Sequence, residues 1–361
     1  MLEDDGREIC RWPDLASALG PLWSDRSVRN GEPWAVGWLG YEACADFAGG
    51  LPARDADGAL PTGVFLVEPR VCRADPVLKS TPRGGRACTE WSLDGAGFRE
   101  SVDAIRERIA AGDVYQVNLS RRLTVDGFSI TLDDLLEASC AGGIPDYLAR
   151  FYFDDNELLT ASMELLLRRR GSELETHPIK GTRRRGRTAG EDRDLAAELD
   201  ADPKERAELA MVVDLERNDL GRVCETGSVR VADAGSVFTY PAVHHRVAKV
   251  TGQVRQGLEW WDVLAAMVPG GSVTGCPKIA AMEVIAGLEP VPRGPFTGAL
   301  GVISGDGDLE MALPIRSAWS VNGRLEFAAG CGIVWESDPV AEELESRIKV
   351  ARWLELVGGA D

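Results

Sequence analysis

Two pairs of glutamates raise the first chemical question. Glu205 and Glu208 lie three residues apart in DPKERAELAMVVDLERNDLGR (202–222), and Glu342 and Glu345 lie three apart in SDPVAEELESRIKVARWLEL (337–356). Residues at that spacing share a helix face, so each segment would present two carboxylates together. Four such groups could hold one hard divalent cation, such as Mg²⁺, directly and through waters. Each pair also has a plainer reading. Asp202 is a good N-cap, Pro203 suits a first turn, and Glu205 could close a capping box with Asp202. Glu208 adjoins Leu209, Ala210, Met211, Val212, Val213 and Leu215, a run that makes the helix apolar nearly all round and predicts its burial. A buried carboxylate needs a partner. In the second segment Leu344, Ile348, Ala351 and Leu354 mark a core stripe, and the glutamates beside it could form a solvated face.

A cationic cluster stands out against this acidity. In THPIKGTRRRG (176–186) an expected strand runs out into Lys180, Gly181 and Thr182, followed by Arg183, Arg184, Arg185 and Arg187. Such a cluster can attract an anion even in an acidic protein. PGGSVTGCPKIAAMEVI (269–285) is a glycine-rich turn leading through Pro277 into a helix, and free N–H groups at a helix start suit a carboxylate or phosphate. The phosphate-loop order GxxxxGK[ST] is not met. GCGIV (330–334) is a second place where backbone could approach a ligand closely. Taken singly, each is more simply an ordinary tight turn. Arg316, in LPIRSAWSV, is a cation on an apolar strand, suited to a salt bridge or to a bidentate carboxylate clamp.

The elements that must position these groups are partly legible. In FRESVDAIRERIAAGDVYQVNLSRRL, Val102, Ile105, Ile109 and Ala110 recur at helical spacing, and Gly112 ends the helix. A strand follows, with Tyr115, Val117 and Leu119 on one face and Gln116, Asn118 and Ser120 on the other. Residues 1–92 are loosely patterned and contain an expected strand, TGVFLVEPRV; Asp75 to Cys88 reads as a loop or linker. There is no internal repeat. The pattern predicts an α+β chain with helices packed on large, mostly antiparallel sheets.

The 361 residues carry a net charge of −18, with 44% hydrophobic and 27% charged residues, the balance of a soluble globular protein. The acidic start MLEDDGREIC is not a signal peptide, and no apolar run nears the roughly 20 residues that span a bilayer. The eight cysteines are scattered without a CxxC pair, which predicts reduced thiols in a cytoplasmic protein. The acidic balance argues against a nucleic-acid partner.

Taken in order, DVYQVNLSRRL, PIKGTRRRG, ERAELAMVVDLERNDLGRVCETGSV, YPAVHHRV, PGGSVTGCPKIAAMEVI, RGPFTGALG, IRSA and GCGIVWESDPVAEELE resemble the chorismate-utilising enzymes, over roughly residues 95–356. The resemblance implies that family's α+β fold, with an active-site cleft between the sheets. It also implies a shortened N-terminal subdomain and linker at 1–92 and a catalytic domain at 93–361. Two positions resemble the aminodeoxychorismate synthase branch (component I). Gln116 stands where the isochorismate-forming members carry a lysine that activates water. Lys180 stands where anthranilate synthases carry a small residue. The activity implied is conversion of chorismate and ammonia to 4-amino-4-deoxychorismate, the precursor of 4-aminobenzoate. Lys180 would be the nucleophile at C2 of the ring, Glu164 the general acid for the leaving hydroxyl, and His245 a catalytic histidine near the ring. Glu208 and Glu345 would bind Mg²⁺ directly, with Glu205 and Glu342 holding metal-bound waters. Arg316 would clamp the enolpyruvyl carboxylate. Backbone of Gly330, Cys331 and Gly332 would meet the ring carboxylate, and Gln116, Gly181, Thr182 and Thr274 would complete the substrate site. Nitrogen would come from a separate glutamine amidotransferase, because the chain offers no cysteine–histidine glutaminase of its own.

Three departures from the family pattern stand out. Met163 replaces a proline before Glu164, Val302 replaces a tyrosine expected to bond the enolpyruvyl carboxylate, and HHRVA replaces the leucine and serine that usually follow the histidine. The rival readings are an anthranilate or 2-amino-2-deoxyisochorismate synthase, and a non-catalytic scaffold that binds an amidotransferase.

Overall fold

The protein is described by a computed structural model covering residues 2–4, 7–11, 33–54, 60–67, 87–128, 130–153, 155–241 and 243–358. In chain order the strands are β1 Leu2–Asp4, β2 Arg7–Arg11, β3 Pro33–Leu39, β4 Gly63–Val67, β5 Cys88–Trp91, β6 Gln116–Asp126, β7 Tyr147–Phe153, β8 Asn156–Ser162, β9 Leu165–Arg170, β10 Glu173–His177, β11 Ile179–Arg184, β12 Arg230–Thr239, β13 Val243–Gln253, β14 Gly275–Cys276, β15 Ala299–Ser304, β16 Leu309–Ala312, β17 Ser317–Val321 and β18 Arg324–Ile333. The helices are α1 Tyr41–Phe47, α2 Gly95–Ala111, α3 Leu132–Cys140, α4 Ala189–Ala201, α5 Pro203–Gly221, α6 Trp260–Met267, α7 Lys278–Leu288 and α8 Pro339–Leu356.

The strands form two antiparallel sheets. The larger has eleven strands in the order β1-β2-β4-β3-β15-β16-β9-β10-β13-β11, with β12 also paired to β13. The smaller has seven, β14-β6-β18-β17-β8-β7, with β5 also paired to β6. Trp38, Val64 and Leu300 of the larger sheet pack against Phe153, Leu158, Trp319 and Val321 of the smaller, so the two sheets share one apolar core. Helices cover the other faces. α5 and α6 bury Leu209, Val213, Trp260 and Leu264 with the larger sheet. α3 and α8 bury Leu135, Val350 and Trp353 with the smaller one, and α2 and α7 cover β6 through Phe98, Ile105, Ala281 and Ile285. This is the expected α+β architecture. The loop expected at Asp75–Cys88 lies outside the described residues except for its last two positions.

Both glutamate helices start by the same device. The Asp202 carboxylate accepts from the N–H groups of Lys204 and Glu205 at 2.9 and 3.3 Å. Asp338 accepts from Val340 and Ala341 at 3.1 and 2.8 Å. Each aspartate is followed by proline, whose missing N–H costs nothing in a first turn.

Three details differ from the sequence expectations. Glu205 forms no reciprocal capping bond and turns its carboxylate to Arg183, 3.6 Å away. Helix α5 is not buried all round, because Ala207, Ala210, Asp214 and Arg217 face solvent. In α8 the core face is Glu343, Ser346, Val350, Trp353 and Leu354, whereas Leu344 and Ile348 are 54% and 63% exposed. The apolar spacing misled there because the helix is anchored by a buried charge: Glu343 and Ser346 take the guanidinium of Arg121 at 3.0 and 2.6 Å. Strand β6 is buried on both faces, its polar one included, and Tyr115 lies just outside it, exposed. Cys44, Cys88, Cys140, Cys224, Cys276 and Cys331 carry free thiols, and Cys44, Cys224 and Cys331 are buried. No helix among the described residues is long and apolar enough to cross a membrane.

Candidate active site

A cleft of about 510 Å³ opens between the sheets. One wall is β11, with Lys180, Gly181, Thr182 and Arg183, beside His245 of β13. The opposite wall is β18, with Gly330 and Gly332, and Asn118 of β6. Its inner end is closed by Glu164, Ser272, Phe296, Thr297 and Arg316. Its outer end lies between α5, with Lys204, Glu205 and Glu208, and α8, with Glu342, Glu345, Ile348 and Lys349.

The outer end gathers carboxylates. Glu208 is 3.7 Å from Lys204, Glu342 accepts from the Ser337 hydroxyl at 2.7 Å, and Glu345 pairs with Lys349 at 2.6 Å. Burial pushes Glu205, Glu208 and Glu342 above the usual carboxylate range, and neighbouring acids add to the push. Burial also raises Glu345, but Lys349 outweighs it and holds this group below the usual range. Cys331 Sγ lies within 4.8 Å of ligand atoms of Glu342 and Glu345. Its S–H donates to the Glu342 carbonyl, and burial pushes the thiol up to about 12. A protonated thiol is not a metal ligand, so the usable donors are carboxylate oxygens, the set a hard divalent cation takes.

The inner end is the more deeply buried one, with Glu164, Ser272 and Thr297 all enclosed. Glu164 is buried, and its Oε1 accepts from the Ser272 hydroxyl at 2.5 Å. Burial pushes it up to about 7 against the pull of Ser272 and Lys180. Lys180 Nζ donates to the Ser272 carbonyl at 3.5 Å. Gly332 is required opposite it: a Cβ there would sit 2.7 Å from Gln116 Nε2 and 3.4 Å from Lys180 Nζ. Gly181 has φ +80°, open to glycine at no cost. Its carbonyl and the Thr182 hydroxyl lie 3.3 and 3.0 Å from His245 Nδ1. Burial pulls His245 down to about 4, which leaves a neutral imidazole. His245 Nε2 and Asn118 Oδ1 are buried without a hydrogen-bond partner. Arg316 donates to the Lys349 carbonyl at 2.6 Å and has no carboxylate partner among the described residues. Buried polar atoms are normally satisfied, so these three groups suit a polar, anionic ligand.

Residues 72–355 match the chorismate binding enzyme family. The chain belongs to that family. It is 41% identical over 250 residues to aminodeoxychorismate synthase component 1 of Bacillus subtilis (strain 168), covering 69% of this chain and 53% of that one. It is 42% identical over 350 residues to anthranilate synthase component 1 of Spirochaeta aurantia, covering 95% and 72%. The match thus spans about half the length of the first relative. Anthranilate synthase component I from Streptococcus pneumoniae TIGR4 superposes with a TM-score of 0.79 at 26% identity, over 98% of this chain and 93% of that one. The menaquinone-specific isochorismate synthase of Escherichia coli shares the fold, with a TM-score of 0.76 at 21% identity over 98% and 84%.

In this chorismate binding enzyme most of the sequence-derived site residues meet. Lys180, Glu164, His245, Gly181, Thr182, Arg316, Gly330, Gly332 and the four glutamates all line the cleft. Three others do not line it. Gln116 is buried, with its Nε2 on the same side of Gly332 as Lys180 Nζ, and the Cys331 side chain points to α8. Thr274 is fully buried, its hydroxyl donating to the carbonyls of Gly270 and Gly271.

Other expectations are corrected. The arginine run does not face the ligand space as a group. Arg183 pairs with Glu198, Asp202 and Glu205, Arg184 with Glu191 and Arg185 with Asp192, so α4 and the start of α5 neutralise it. The start of α7 is not in the cleft: Lys278 binds Asp219 at 2.6 Å beneath it. Val302 pairs with Val36 and Glu310 in the larger sheet, away from the cleft, and the aromatic side chain that does line it is Phe296. Lys349, Ser272 and Asn118 were missed. Lys349 had a signal, since it follows Glu345 by four residues on the same helix face. Ser272 had none beyond its glycine-rich turn.

Proposed function

We propose that this chain is the chorismate-aminating component I of an aminodeoxychorismate synthase. The observation that carries the proposal is Lys180 at the inner end of the cleft, beside the buried carboxyl of Glu164 and facing the glycine wall. Lys180 Nζ, as the free amine, bonds to C2 of chorismate while the C4–O bond breaks. Glu164 gives its proton to the departing hydroxyl, which leaves as water. Ammonia then bonds to C4 and the C2–Nζ bond breaks. The net change is chorismate plus ammonia to 4-amino-4-deoxychorismate plus water. Splitting the displacement this way replaces one difficult step with two easier ones. Arg316 is free to clamp the enolpyruvyl carboxylate. His245 offers Nε2, and Asn118 its carbonyl, to the ring substituents. Glu208 and Glu345, with Glu205 and Glu342 behind waters, would hold Mg²⁺, which supplies Lewis-acid binding of the ring carboxylate. A separate glutamine amidotransferase would deliver the ammonia, and residues 93–361 would carry the chemistry.

Several relatives named anthranilate synthase, at 38–42% identity, favour a second reading, amination at C2. Chromatography of products from chorismate, Mg²⁺ and ammonium separates the two. The expected product is 4-amino-4-deoxychorismate, and Lys180→Ala is expected to lose C4 amination by orders of magnitude while still binding chorismate. Anthranilate from the wild type, or an undiminished rate from Lys180→Ala, overturns the proposal.

A further inference from the structure

The two reactive groups at the inner end are joined by one residue that nothing in the sequence singled out. Ser272 is buried in the single helical turn Gly271–Val273, and it offers one polar atom to each of them. Its hydroxyl donates to Glu164 Oε1 at 2.5 Å, and its carbonyl accepts from Lys180 Nζ at 3.5 Å. The turn is fixed from two further directions. Thr274 Oγ1 donates to Gly270 O at 2.9 Å, and Arg293 Nη1 donates to Val273 O at 2.8 Å. Arg293 Nη2 is itself held by Glu289 at 2.7 Å and also donates to the carbonyl of Asn118, on the opposite wall. The serine therefore sits on a braced support, the arrangement that holds a reacting group in place without motion during the reaction.

We propose that Ser272 is a positioning residue: its hydroxyl occupies Oε1 of Glu164, so that the acidic proton is carried on Oε2 toward the cleft, while its carbonyl sets Lys180 at a fixed separation from that acid. The proposal rests on the reading of Glu164 as the general acid. A carboxyl has one proton and two oxygens, and a donor locked on one oxygen leaves the proton to the other. The same bond stabilises the carboxylate left after the proton has gone to the departing hydroxyl, so it strengthens as the C4–O bond breaks. The charged and titratable groups facing Glu164 are Lys180 from β11 and Glu216 from α5, the latter backed by Asp219 and Lys278. None of these side chains donates a hydrogen bond to Oε1; the backbone N–H of Ile179 also stabilises the carboxylate, so Ser272 is its side-chain donor rather than its sole one.

The test is the pH profile of kcat for chorismate amination in wild type, Ser272→Ala, Ser272→Thr and Glu164→Gln. The wild type is expected to lose activity on the alkaline side as Glu164 ionises. In Ser272→Ala that alkaline limb moves to higher pH, because a donor to the carboxylate is gone. There kcat falls by about 10- to 100-fold, the size of one hydrogen bond to a charged group, and KM changes less than kcat. Ser272→Thr keeps a hydroxyl and is expected to restore both the limb and most of the rate, which a purely steric role would not produce. An unmoved limb with near-wild-type kcat in Ser272→Ala overturns the positioning role. A limb that persists in Glu164→Gln instead overturns the reading of Glu164 as the acid, and so keeps the two failures apart.

Discussion

Glu164 and Glu208 line the same cleft, yet their surroundings give them opposite chemistry. Glu164 is enclosed by the sheets, takes one hydroxyl donor, and is pushed up to about 7, so that it can carry a proton near neutrality. Glu208 stands at the outer end among Glu205, Glu342 and Glu345, with Lys204 as its nearest cation. Burial raises it too, and Glu342 and Glu345 add to the push while Lys180 and Lys204 pull against it. A buried carboxyl is relieved by holding a proton. A crowded group of four is relieved better by a divalent cation, which neutralises several charges at once. In the proposed reaction one residue type would therefore supply an acid at one end and metal ligands at the other, and the distinction lies in the neighbours.

The largest effect is expected where the crowding is broken. Glu208→Gln removes one proposed ligand, so turnover with chorismate and Mg²⁺ should be abolished and the calorimetric signal of Mg²⁺ binding lost. The fold should survive, because removing one of four repelling carboxylates relieves strain in the metal-free protein. Its metal-free melting temperature should then be no lower than that of the wild type. Full wild-type activity in EDTA would refute the assignment of the outer glutamates to a metal.

Next in size is the inner end. Glu164→Gln keeps the shape but cannot give a proton, and kcat should drop by about 10²- to 10⁴-fold, the range of general acid catalysis. A stability signature accompanies it. The folded group titrates near 7 and the unfolded one in the ordinary glutamate range, so between these values the unfolded chain ionises while the native one stays neutral. Native stability contributed by the neutral carboxyl is therefore full at low pH and is lost as pH rises toward 7. Glu164→Gln should flatten that dependence, and thermal melts of both proteins from pH 4 to 8 measure it. Parallel curves would show that Glu164 is not held neutral.

How much of this could be read from the chain depends on what kind of signal each part carried. The paired glutamates, the lysine before Gly181 and the glycines of β18 stand in long motifs, and the structure brings them to one cleft. The face of α8 did not follow from apolar spacing, because its burial is governed by Arg121, a residue more than 200 positions away that binds Glu343 and Ser346. Only tertiary packing reveals such a partner. Alternation divided β6 into an apolar and a polar face, yet both are buried: Ser120 donates to Glu289 and Asn118 lines the cleft. Ser272 was silent for a related reason: a serine in a glycine-rich turn is ordinary until Glu164 and Lys180 are placed on either side of it.

The smallest effect is expected at the arginine run, where composition pointed to the ligand and the structure points elsewhere. Arg184 is largely exposed and pairs with Glu191, whose carboxylate also accepts from the N–H of Arg187. Such a pair contributes little, since solvent screens it and both side chains lose freedom in forming it. Arg184 also does not line the cleft, whereas Arg183 does and contacts Glu205. Arg184→Ala should therefore leave KM for chorismate, kcat and the Mg²⁺ requirement at wild-type values. Arg183→Ala should weaken Mg²⁺-supported turnover, because Glu205 loses its closest cation and faces Glu208 and Asp202 with only Lys204 to offset them. Steady-state kinetics of the two variants at matched ionic strength makes the comparison. If Arg184→Ala raises KM as much as Arg183→Ala does, the run acts on chorismate as a whole, and the acidic residues of α4 do not neutralise it.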